Sequence, residues 1–105
     1  MNTKSAILEQ RRLQKLNEIQ ELKIQYQTAS NGLALIRREI STLEPLVKTG
    51  LAPETRLIAL KRDEETSIGA ANTAESGQKR LISGLDEIDE QLKACLLYTS
   101  DAADE

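Results

Sequence analysis

Apolar residues recur along the chain with a spacing that predicts helices. From Ile19 onward, Ile19, Leu22, Tyr26, Ala29, Leu33, Ile36, Ile40, Leu43 and Val47 step alternately by three and four residues. Apolar a and d positions sustained over successive heptads define a coiled-coil seam, and a period of about 3.5 residues predicts a left-handed supercoil. Upstream, Ile7, Leu8, Leu13 and Leu16 stand at approximate helical spacing among Lys4, Glu9, Gln10, Arg11, Arg12 and Lys15, so the helix is predicted to begin near Thr3. A second series, Leu57, Leu60, Glu64, Ser67, Ala71, Ala74, Gln78, Leu81, Leu85, Ile88 and Leu92, keeps the same alternation with polar residues at some seam positions.

Both series are interrupted together between Leu43 and Leu57. Gly50 lacks a Cβ and can adopt the left-handed conformation that closes a helix, while Lys48 sets a positive charge at the negative end of the helix dipole. Pro53 suits the first turn of a new helix, with Glu54 behind it at the positive end. The predicted layout is therefore helix over about 3–49, tip at 50–52 and helix over about 53–93. Asn31-Gly32 is a turn signal, but the period continues across it, so it reads as helix at a cost of about 1 kcal/mol for the glycine. Pro45 cannot donate to the Ser41 carbonyl and is expected to bend the last turns.

Folding the chain back at the tip sets Val47 against Leu57, Leu43 against Leu60, Leu33 against Ala71, Ala29 against Ala74, Leu22 against Leu81 and Ile19 against Leu85. The expected fold is all-α, a long antiparallel two-helix coiled-coil hairpin. Its middle is weak. Ile40 faces Glu64, Ile36 faces Ser67, the alanines bury little, and Gly69 and Gly77 are expected to loosen the second helix. Two helices alone barely offset an ordering cost of about 1–2 kcal/mol per residue, so neighbouring subunits or a scaffold are expected to cover the exposed flanks.

Composition narrows the function classes. The 105 residues include no Phe or Trp and only Tyr26 and Tyr98 as aromatics, so a bulky globular core is excluded. Fourteen Lys+Arg stand against 17 Asp+Glu, with no block of like charge, and nucleic-acid binding has no electrostatic footprint. There is no histidine, no Gly-rich phosphate loop and no metal-ligand spacing. Asp63-Glu64-Glu65 reads as a solvated face rather than a paired-carboxylate site, because consecutive helical residues point in different directions. No catalytic, cofactor or metal residue is identified, no small-molecule substrate is expected, and the chain is not expected to be an enzyme. Asp89 before Lys93 and Glu44 before Lys48 are expected to form supporting pairs within each helix.

The last eleven residues, Cys95 to Glu105, resemble the translated read-through of a transposase-based sequencing adapter. They are set apart from fold reasoning as a scar, expected to be disordered or frayed. Without Asp101, Asp104 and Glu105 the acidic residues equal the 14 basic ones, and without Cys95 no cysteine remains. The hairpin over 1–94 is then expected to be a piece of a longer protein.

The stretch from Leu43 to Glu64 resembles the hairpin turn of HlyD-type periplasmic adaptors, the membrane fusion proteins, most nearly in their type I secretion branch. In that family a helix ending Leu-x-x-Leu-(Val/Leu)-x-x-Gly-Leu leads into one beginning Leu-x-x-Leu-x-Arg-(Glu/Asp). Here those positions are Leu43, Leu46, Val47, Gly50, Leu51, Leu57, Leu60, Arg62 and Asp63. The resemblance implies a periplasmic location for the hairpin and a parent protein anchored in the inner membrane of a Gram-negative bacterium. It implies three sets of partners: an outer-membrane TolC-like channel at the tip, an inner-membrane transporter reached through further domains, and neighbouring adaptor protomers alongside. The tip residues it puts forward for partner binding are Leu46, Lys48, Gly50, Leu51 and Pro53. An Arg, Leu and Ser trio recurs in family tips that engage the channel; with Leu46 aligned, Thr42 and Pro53 occupy the other two places, so only one of the three matches. A different class, a cytoplasmic structural coiled coil serving as a dimerisation or spacer element, explains the heptads without the tip.

Overall fold

The computed structural model describes residues 3–104, with side-chain surroundings for residues 3–98. Two α-helices, α1 over Thr3–Lys48 and α2 over Glu54–Asp104, form an all-α antiparallel hairpin, and no strand is present among the described residues. Asn31, Gly32 and Pro45 all lie within α1, so the apolar period overrides the local breakers.

Helix α1 ends at Lys48 and α2 begins at Glu54, each within one residue of the sequence expectation, with Pro53 just outside α2; one boundary differs. Helix α2 runs past residue 93 to Asp104, so residues 95–104 are helical rather than frayed; Glu105 lies outside the described residues. The physical reason is that no Gly or Pro follows Gly84 to stop the helix, and Cys95 packs against the buried cluster Leu8, Ile88 and Leu92.

The expected single hairpin domain divides into two compact units. The first combines residues up to Leu22 with those from Ser76 onward, and the second is Lys23–Glu75. In the first, the buried apolar residues are all large: Leu8, Ile88 and Leu92. Here the seam runs through Leu8, Arg12, Lys15, Ile19 and Leu22, all buried or half-buried. Leu13 and Leu16, together with Ile7, are exposed instead. Three-and-four spacing counted back from Ile19 puts charged residues at two seam positions, and their long aliphatic stems cover apolar surface while the charges reach water.

Leu22, expected opposite Leu81, packs closely over Gly77. A Cβ added to Gly77 would stand 2.7 Å from Leu22 Cδ1, and one added to Gly84 would stand 3.7 Å from Lys15 Cε. Gly77 is thus a place of close approach rather than a loosening of the helix. By contrast, a Cβ at Gly69 would meet nothing within 4 Å. Asp89 accepts from Arg12 Nε across the pair at 2.9 Å, a partner the expected pairing with Lys93 did not include.

In the second unit the buried residues are Ile40, Leu60, Ala71 and Ala74. Glu64, placed on a solvated acidic face by its neighbours Asp63 and Glu65, is half-buried at a seam position and accepts from Arg37 Nε at 3.2 Å. On the opposite side Arg56 donates to Glu39 at 3.1 Å, with both side chains more than half exposed. Such exposed pairs contribute about 0–1 kcal/mol each and fix register more than stability.

Candidate functional site at the hairpin tip

The tip lies wholly within the second unit and is built by backbone hydrogen bonds. Gly50 has φ +78°, the left-handed region, and among the described residues it is the only glycine with a positive φ. No neighbouring atom would meet a Cβ there, so the requirement for glycine is conformational rather than steric. With the turn set, the Leu51 amide donates to the Leu46 carbonyl at 2.8 Å and the Gly50 amide to the Val47 carbonyl at 3.1 Å. This paired 6→1 and 5→2 arrangement is a Schellman closure, and it satisfies carbonyls that the end of α1 would otherwise leave open.

Two further donors reinforce it. The Ala52 amide donates to the same Leu46 carbonyl at 3.2 Å, and the Thr49 hydroxyl lies 3.2 Å from the Pro45 carbonyl oxygen and 3.1 Å from that of Leu46. Leu46 therefore organises the tip through its main chain, a role its place in the heptad pattern gives no sign of. Pro53 precedes α2, and its carbonyl accepts from the Arg56 amide at 3.3 Å, opening the new helix. Lys48 ends α1 and Glu54 begins α2, so each charge faces the favourable end of its helix dipole.

The five residues put forward from the sequence are brought together on this one segment. Leu46, Lys48, Gly50, Leu51 and Pro53 are all exposed, and Leu51 is the most exposed large apolar residue described, at 78%. Val47 and Ala52 are drawn inward. The result is a rigid turn that holds one leucine outward, flanked by a second at 40% exposure and by the Lys48 charge. The surface it offers is apolar at Leu51 and Leu46 and positively charged at Lys48.

Among the described residues no group of three or more His, Cys, Asp or Glu side chains is placed to hold a metal ion. No helix among them is long and apolar enough to cross a membrane. The chain matches no family model, no curated protein and no solved structure.

Proposed function

We propose that this chain is the helical hairpin of a periplasmic adaptor, of the HlyD kind, that links an inner-membrane transporter to an outer-membrane TolC-like channel for type I secretion or efflux. The reading rests on the likeness of Leu43 to Glu64 to that family's hairpin turn. The observation that carries it is the tip itself: a Schellman turn at Gly50 that presents Leu51 to solvent. A purely structural spacer needs no such exposed leucine at its reversal, whereas a subunit that docks end-on against a channel does.

In this reading the tip contacts the channel, the flanks meet neighbouring protomers, and the transporter is engaged through domains outside the hairpin. The protein is non-catalytic, acts in the periplasm and binds neither nucleic acid nor small-molecule substrate. The alternative, a cytoplasmic dimerisation or spacer coiled coil, is favoured by the heptad seam taken alone.

The deciding experiment reads the gene on either side of residues 1–94 and then tests the tip in the uninterrupted parent protein. Lipoyl-like β segments flanking the helices, together with loss of channel co-purification on Leu51→Asp at unchanged helix content, are the expected results. Heptads continuing in both directions would replace the adaptor with the spacer.

A further inference from the structure

Below the tip, a groove lies along one flank of the second unit between α1 and α2. Leu35, Leu43 and Leu60 form its apolar surface, and Arg38 and Arg56 stand at its edge with Glu39. Leu60 is buried and Leu43 half-buried, whereas Leu35 is 61% exposed. The volume of about 600 Å³ falls within the range of about 300–1,000 Å³ that small ligands occupy.

The charges around the groove do not cancel. Arg56 donates to Glu39, so those two neutralise each other. Arg38 has no ion-pair partner among the described residues. The positions three and four residues from it on α1 are Ala34, Leu35, Ser41 and Thr42, and none is acidic. On α2, Asp63 follows Arg56 on the same face but does not line the groove. The Thr42 hydroxyl donates to the Arg38 carbonyl at 3.0 Å, which leaves the Arg38 guanidinium as the uncommitted group at the edge.

We propose that this groove binds an alkyl carboxylate, with the head group on Arg38 and the chain along Leu35, Leu43 and Leu60. Charge chooses the head group. A guanidinium fork matches a carboxylate in two parallel hydrogen bonds, and one uncompensated positive charge suits a monoanion, while Glu39 repels a more highly charged phosphate. Size chooses the rest. Leu35 to Leu43 spans about 12 Å along α1, room for a medium-length chain. A protein partner would need about 800 Å² from each side, far more than this short groove offers. The ligand is held and not converted, and the inference stands apart from the adaptor and spacer readings, neither of which calls for a ligand there.

The test titrates the isotope-labelled 105-residue chain with sodium decanoate at low salt, below its micelle threshold, and follows the protein by NMR. Shifts are expected at the amides of residues 35–43 and 56–60 and at the Arg38 Nε–H. Acetate, which has the head group without the chain, and decyltrimethylammonium, which has the chain with the opposite charge, should each bind at least about tenfold more weakly. Leu35→Gln should raise the decanoate dissociation constant about tenfold and Arg38→Gln about threefold or more. Arg62→Gln, at an exposed cation outside the groove, should leave it unchanged, and circular dichroism should show helix retained in all three variants.

Equal binding of the cationic detergent overturns the proposal, as does an affinity that Arg38→Gln spares, or shifts spread evenly over both helices. So does an affinity that falls as protein concentration rises, because a second copy would then be covering the groove. A short apolar peptide with a free C-terminal carboxylate that binds more tightly than decanoate would assign the groove to a peptide and overturn it too.

Discussion

In the Lys23–Glu75 unit the helices are joined through their own main chain, with Leu51 and Ala52 amides converging on the Leu46 carbonyl. In the other unit no turn connects α1 to α2, and its two segments are separated in sequence by the whole of Lys23–Glu75. Closing that distance costs chain entropy that side chains must offset. The buried residues reflect the difference. The turn-closed unit buries two alanines beside Ile40 and Leu60, whereas the other concentrates Leu8, Ile88 and Leu92 and brings Leu22 down onto Gly77. Covalent connection allows a thin core; where it is lacking, larger side chains and closer approach replace it.

The largest expected effect breaks the side-chain closure. Ile88→Ala should cost about 2–4 kcal/mol by thermal or urea unfolding, since it removes the centre of the buried Leu8, Ile88 and Leu92 cluster. Ile58→Ala, at 46% exposure in the other unit, should cost less than about 1 kcal/mol in the same assay.

Next comes the turn. Gly50→Val should lose about 1–2 kcal/mol, because a β-branched residue is forced into the left-handed region and its side chain finds nothing nearby to pack on in return. Gly50→Asn should lose markedly less, since asparagine tolerates that conformation. An unchanged melting temperature for the valine variant would show that the turn does not hold the unit together. Smallest is the Arg12 to Asp89 ion pair: both partners are partly exposed, so Asp89→Asn, which removes the charge and leaves the Arg12 stem packed, should shift stability by about 0.5 kcal/mol or less, and added salt should reduce even that.

How much of this is legible in the sequence depends on what kind of group carries each feature. The seam from Ile19 to Val47, apart from Tyr26, which is exposed, and its partner in α2 are legible because apolar side chains at a fixed period announce which face is buried. Gly50 is legible because few other residues tolerate its conformation. The seam at Arg12 and Lys15 is not, because a pattern of apolar residues cannot register a charged side chain that contributes its methylenes; Leu13 and Leu16 compete with it for attention. Gly77 misleads because a glycine required by a neighbour's side chain looks the same as one that merely weakens a helix. At the tip, all five candidate residues come together on one exposed segment, but the acceptor at its centre is a main-chain carbonyl of Leu46, which carries no signature in residue type.

Amide hydrogen exchange on wild type and Ile88→Ala tests most directly whether the two units are held by different means. If side chains alone close the first unit, exchange should accelerate across residues 79–95 of α2, while residues 54–66 keep protection close to wild type. Equal acceleration along the whole of α2 would contradict this division, because the hairpin would then open as one cooperative body regardless of where its backbone is joined.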